Sequence, residues 1–339
     1  MKLYFQNKTS DLDEWAGFLL SVETSSKPML RLHTALGAKM KLQADAQTLF
    51  WAHISDGYYG VNVLRTLPQS EHVNLLPHIH SADLMQTKHL DKTEQAKYWA
   101  KFFVKALQNA PLSPLYGGLW ALDFCFLSKQ YDQPLWLNRD HSKWCVTKAE
   151  DTQLLAAHDV YIDWAGCGNS NIINLFAQHA KPENVDRIKW WLKVAKEQAL
   201  PPLLLWCISA LDAYVLLDGH DRLQAALING IAPTCLVLSS YTECASYKLD
   251  EDKQKAILHQ LDIAEKKIAA GIVVGSDTIA GINSALVRSF DNRPNPLYRT
   301  RTVADLAAEQ WLKETQAFKK QLKKLSPHVA IEQFHLMDV

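Results

Sequence analysis

The clearest patterning of hydrophobic and polar positions lies between residues 201 and 238. Three apolar runs, 203–208, 213–217 and 234–238, are short and flanked by Pro, Asp or Gly. Runs of that length between turn residues predict buried strands. Between the second and third, Arg222–Ile228 has helical spacing and ends at Asn229-Gly230, a helix stop. The predicted order is strand, turn, strand, tight turn, helix, strand.

Other segments are read in the same way. Ala96, Trp99, Ala100, Phe103, Val104 and Leu107 form one helical stripe, started by Thr93 and Glu94 and stopped before Pro111. Val185–Glu197 is amphipathic through Ile188, Trp191, Leu192 and Ala195. Near the N-terminus, Trp15, Phe18, Leu19 and Val22 fit i, i+3, i+4 and i+7, which predicts a helix capped by Asp11 or Asp13. Residues 115–127 and 134–137 read as extended or mixed. Asp159–Trp164 reads as a strand, followed by a turn at 166–170 and a helix over Ile172–His179 capped by Asn169 or Ser170. Three helices are expected in the last ninety residues. One carries Ile257, Leu261, Ala264 and Ile268; one is capped by Ser276 and runs through Ile279, Ile282, Leu286 and Val287. The last spans Val303–Leu325, and its Lys319, Lys320, Lys323 and Lys324 suit a solvated helix end. No repeat with a period of 20–50 residues is found.

A length of 339 residues suggests about two domains of ~100–200 residues. The polar stretches 139–143 and 148–153 mark the expected boundary. That gives an aromatic-rich N-terminal region (1–150), a central domain (151–250) and C-terminal helices packed on it (251–339). The fold class is mixed α/β: a small mixed sheet, a helical aromatic-rich N-terminal region and C-terminal helices. Thirty-six basic and 36 acidic residues cancel, so no bulk field draws in nucleic acid. The N-terminus lacks the apolar core of a signal peptide, and the longest apolar run, Leu203–Ile208, is far shorter than the ~20 residues of a membrane helix. Six cysteines form no C-x-x-C pair and several lie within apolar runs, which predicts reduced, inert thiols, Cys207 and Cys235 among them. The expected compartment is the cytoplasm.

Candidate chemistry gathers at Asp218-Gly219-His220-Asp221-Arg222. Glycine permits a sharp turn and close approach of a ligand. The residues after it open a helix, where free N–H groups and the dipole favour an anion. Arg222 adds a planar fork suited to phosphate or carboxylate, and His220 titrates near neutrality. In the plainer reading, His220 and Arg222 simply hydrogen-bond carbonyls or pair with Asp.

The strand–Asp-Gly-His-x-Arg–helix–Gly–Pro–strand run, with Leu200-Pro201-Pro202 ahead of it, resembles the ParB/sulfiredoxin superfamily over roughly residues 155–245. That resemblance implies nucleotide-phosphate binding by Gly219, His220 and Arg222, and it aligns Asp218 with the acidic residue of the kinase-like branch. If catalysis accompanies binding, phosphotransfer is expected, with Asp218 and His220 near the reacting group. Asp218 or Asp221 would then act through Mg²⁺, which binds only with a nucleotide. The chain departs from the pattern at Asp221, where a basic, small or hydroxyl residue is usual. No cysteine lies in the loop for sulfiredoxin chemistry, and no helix-turn-helix supports chromosome partition.

The alternative is a non-catalytic protein-binding module, such as an immunity protein that neutralises a toxin. A nuclease ranks third, because no carboxylate cluster is evident. The first two readings part on geometry. Ligand binding requires an open pocket at 218–222 with Arg222 pointing into it. Arg222 buried in an internal salt bridge to Asp218 or Asp221 would count against it. Among other candidates, His78 and His80, with His72 and His89 nearby, read as a surface cluster before a zinc site. Gly117-Gly118 and Gly271…Gly275 lack phosphate-loop spacing, and the tryptophans are expected in the core.

Overall fold

The computed structural model describes residues 1–9, 14–24, 27–54, 60–66, 76–126, 159–163, 172–174, 185–211, 213–231, 233–244, 249, 251–272, 275–290 and 295–325. The chain divides into two compact units, Met1–Ser240 with Arg299–Val339, and Tyr241–Tyr298. The expected boundary at 139–153 lies outside the described residues.

The first unit contains strands β1 (Lys2–Thr9), β2 (Trp15–Glu23), β3 (Leu30–Ala35), β4 (Lys39–Ala44), β5 (Gln47–Ile54) and β6 (Gly60–Arg65). Helices α1 (Ser81–Thr87) and α2 (Lys92–Asn109) follow, then β7 (Gly118–Phe126), β8 (Asp159–Asp163) and β9 (Ile172–Asn174). Next come α3 (Asp186–Lys196), β10 (Leu203–Ile208), β11 (Ala213–Asp218), α4 (His220–Ile228) and β12 (Thr234–Cys244). The second unit takes the end of β12, helices α5 (Glu251–Ala269) and α6 (Ser276–Ser289), and β13 (Asn295–Tyr298), which pairs antiparallel with residues 241–244. Strand β14 (Thr302–Val303) and helix α7 (Ala308–Leu325) return to the first unit.

The chain is a mixed α/β protein with two mixed sheets. One runs β1-β2-β7-β12-β10-β11-β9, and the other is six-stranded, β14-β3-β4-β5-β6-β8. Strand β10 pairs antiparallel with β11 and parallel with β12, so Trp206 lies between Val215 and Leu238. Both faces of these strands are covered. Leu204, Trp206, Val215 and Leu236 join the main core, while Leu203, Leu205, Leu216 and Val237 pack beneath Leu223 of α4. Double-sided burial is why these strands read as continuous apolar runs and not as alternation.

Helix α2 presents Trp99, Phe103, Val104 and Leu107 to the main core, which gathers residues of both sheets. Its cap is Asp91, whose carboxylate accepts from Glu94 N at 2.9 Å, two residues before the expected Thr93. The expected helix over Trp15–Val22 is strand β2. Phe18, Leu20 and Val22 are buried at a period of two, and β7 pairs alongside. Gly17 has φ +139°, and a Cβ there would stand 2.1 Å from Leu122 O, an approach only glycine allows. The window Trp15–Val22 fits both periods, and long-range pairing decides between them. Ile172–Asn174 likewise pair in parallel with Tyr214–Leu216 and are strand, not helix; Asn169 and Ser170 lie outside the described residues. Val303 belongs to β14, opposite His33, so the last helix begins at Ala308. In α5, Ala264 is buried but Ile268 is 50% exposed.

Helix α7 closes over the six-stranded sheet. Trp311 is fully buried beside Trp51, Leu64, Leu306 and Leu322, and its Nε1 donates to Met40 O at 2.7 Å. Glu314 accepts from Trp51 Nε1 at 3.0 Å and from Lys41 Nζ at 3.2 Å. Just ahead of α7, Asp305 sits 2.6 Å from His33 Nδ1. Burial pushes the Glu314 carboxyl up, but hydrogen bonds from Trp51, Gln310 and Lys41 outweigh it and hold the group below its ordinary value.

A folded-state value below the unfolded one adds stability above the unfolded pKa of 4.5, and that stability is lost as the pH falls below it. Urea midpoints measured from pH 7 to pH 3 are expected to drop less steeply for Glu314→Gln than for the parent chain. Trp311→Ala empties a fully buried indole site and is expected to destabilise the chain by about 3–5 kcal/mol in the same assay.

Candidate functional site

Strand β11 ends at Asp218, and α4 begins two residues later. Gly219 between them is the helix N-cap, with φ 113° and ψ 20°. A Cβ there would lie 2.6 Å from Leu203 Cδ2 and 2.9 Å from Arg222 Nη2. Glycine is therefore required by both the backbone conformation and the space.

The tightness of the turn brings Asp218 and Arg222 together. Arg222 is only 3% exposed, and its Nη2 donates to Asp218 Oδ2 at 2.5 Å and to Pro202 O at 3.2 Å. The guanidinium carbon lies 5.5 Å from the ring centre of Trp191, a fully buried residue of α3. This is a charge stacked on an aromatic face and neutralised by a carboxylate, as a buried guanidinium requires. The fork faces inward. Arg222 is bound to a carbonyl and to Asp218, the arrangement of the plainer sequence reading. It is not presented to an open pocket.

Asp221 sits in the first turn of α4 and has a partner of its own. It accepts from Arg187 Nε at 3.0 Å. Arg187 opens α3 and lies 5.9 Å from the same Trp191 ring. Its Nη2 stands 3.4 Å from His78 Nδ1. Partial burial and the Arg187 charge hold the His78 imidazole below its ordinary value, against the opposing pull of Asp218 and Asp221. His220 is half-buried as the first residue of α4.

The structure thus brings all five turn residues together and adds Arg187, Trp191, Pro202 and His78, which the sequence reading did not attach to the turn. Asp221 and Arg187 are 34 positions apart, and no local spacing announces such a pair. Asp218 and Arg222, at i and i+4, do carry a local signal.

The remaining candidates take ordinary places. The backbone N–H of His80 donates to Asp83 Oδ2 at 2.8 Å at the start of α1, and His89 is exposed; His72 lies outside the described residues. Among the described residues, no group of three or more His, Cys, Asp or Glu is placed to hold a metal ion. Cys207 and Cys235 are not in disulfides, and the latter is buried. Gly117 and Gly118 lead into β7. Among the described residues no helix is long and apolar enough to cross a membrane. Compared with known proteins, the chain matches no protein family, no curated protein and no solved structure.

Removing one partner of a buried ion pair strands the other. Arg222→Ala is expected to destabilise the chain by about 3 kcal/mol in urea unfolding, at the low end for such pairs because Asp218 keeps some contact with water. Arg222→Met, which refills the volume, should lose less. Arg187→Ala removes a charge that holds His78 down, so the His78 titration followed by NMR is expected to move upward.

Proposed function

We propose that the chain is a non-catalytic protein-binding module in which the Asp218–Arg222 turn stabilises the fold. The observation that carries this reading is the inward closure of that turn. Arg222 is spent on Asp218, Pro202 O and Trp191, and Asp221 on Arg187. A phosphate meeting the turn from solvent would find the Asp218 and Asp221 carboxylates, and Arg222 would not be presented to it; the Arg187 guanidinium beside them is already paired with Asp221. The ParB/sulfiredoxin-like signature then serves as inherited scaffold, and nucleotide binding with phosphotransfer is the competing reading.

The second unit supports a protein partner. Among its described side chains only Ala264 and Ser289 are buried, while Ile268, Ile272, Val287 and Phe290 are 50–73% exposed. Apolar side chains of that size, left in water on helices α5 and α6 and just past their C-terminal ends, are the material from which interfaces are made. A toxin held by its immunity protein is the kind of partnership this fits.

Thermal unfolding with ATP, ADP, CTP and NAD⁺, each with and without Mg²⁺, tests the choice. A ligand at ~100 times its Kd stabilises a fold by about 2.7 kcal/mol, and no such shift is expected here. A saturable shift with any of the four would restore the nucleotide reading. In parallel, Ile268→Glu with Val287→Glu should leave the unfolding free energy within about 0.5 kcal/mol of the parent chain's. The double variant should abolish capture of a partner that the parent chain retains.

A further inference from the structure

Helix α2 has a second face, where Tyr98 and Phe102 reach the edge of the core but stay partly exposed and Lys101 and Lys105 are exposed. Tyr98, Lys101, Phe102 and Lys105 recur at i, i+3, i+4 and i+7, opposite the stripe that carries Trp99 and Phe103. That face forms one wall of a cleft of about 930 Å³, with Pro77 and His78 on another side and Asp83 and Gln86 of α1 on a third. The volume lies within the ~300–1,000 Å³ of small-molecule sites. The lining is mostly apolar, and its polar groups are unevenly matched. Tyr98 is fixed by its hydroxyl, which donates to Gln86 Oε1 at 2.9 Å. Asp83 is engaged by the His80 backbone N–H. Lys97, a turn earlier on α2 and outside the lining, is paired with Glu94 at 2.7 Å. Lys101 and Lys105 have no partner among the described residues.

We propose that this cleft binds a small amphipathic carboxylate, with its apolar body against Phe102, Pro77 and Tyr98 and its carboxylate between Lys101 and Lys105. Two unpaired ammonium groups one helical turn apart at an apolar wall are complementary to a ligand with one anionic head and an aromatic or aliphatic body. A phosphate alone would forgo the apolar wall, and a neutral hydrocarbon would forgo the lysines. His78 joins this cleft to the Arg187–Asp221 pair, but the proposal does not depend on the role of the Asp218–Arg222 turn or on a protein partner.

Equilibrium dialysis with 1-naphthaleneacetate, its neutral amide 1-naphthaleneacetamide, and acetate separates head from body. The acid is expected to bind about five- to tenfold more tightly than the amide, the gap that two partly exposed lysines can supply, and acetate is expected not to bind measurably. The Lys101→Met, Lys105→Met double variant should bring the acid down to the amide and leave the amide unchanged. Asn109→Trp, which sets an indole on the exposed lining of the cleft, should abolish both, with unaltered melting of each variant checked alongside. Acid and amide of equal affinity, a double variant that binds the acid as before, or binding that survives Asn109→Trp would each overturn the proposal.

Discussion

A guanidinium cannot shed its proton at any pH at which a protein folds, so a buried arginine dictates its surroundings. Arg222 imposes that condition on three elements at once. The end of β11 must supply a carboxylate, the entry to β10 a carbonyl, and α3 an aromatic face. Gly219 makes this possible, because only a left-handed cap folds Asp218 back onto the first turn of α4. An apolar group of the same volume could be equally stable, but it would not fix the direction in which α4 leaves the sheet. The arrangement trades an exposed cation for a determined geometry.

The parts of the fold legible in the sequence are those whose burial writes a local pattern. β10, β11 and β12 are covered on both faces and appear as apolar runs; α2 is covered on one and appears as a stripe. Strand β2 was not legible. Its buried Phe18, Leu20 and Val22 stand among Trp15 and Leu19, which complete an accidental helical spacing, and only pairing with β7 decides. β9 owes its conformation to β11, whose register partners lie 42 residues further along the chain. At the turn, residue types and helix start were readable, and so was an Asp218–Arg222 pairing. The side of α4 on which Arg222 emerges was not, since it depends on where α3 places Trp191. Asp221 looked anomalous for the same reason, because its counter-ion comes from a distant helix.

Polar groups at the other end of the first unit obey the same rule with a different outcome. α7 lies on the six-stranded sheet through Trp311, yet it is oriented by Glu314 reaching Trp51 and Lys41, and by Asp305 at His33. The Trp311, Trp51 and Lys41 donors each meet a carboxylate or carbonyl from the other element. An apolar contact alone would allow the helix to slide along the sheet, whereas these bonds define its register. Elsewhere in the unit some charges are likewise held in specific pairs, Lys8 with Asp123 and Arg187 with Asp221 among them.

The chain leaves the first unit at Ser240 and returns to it at Arg299, and Arg299 N donates to Ser240 O at 3.0 Å. Everything between is bracketed by two residues that are already hydrogen-bonded neighbours. The alignment of β10 with β12, Leu203–Trp206 opposite Cys235–Leu238, is complete before the bracket opens. Such a segment behaves as a cassette. Evolution can lengthen it, exchange it or delete it with only a short turn left behind, and the host fold keeps its strand register throughout.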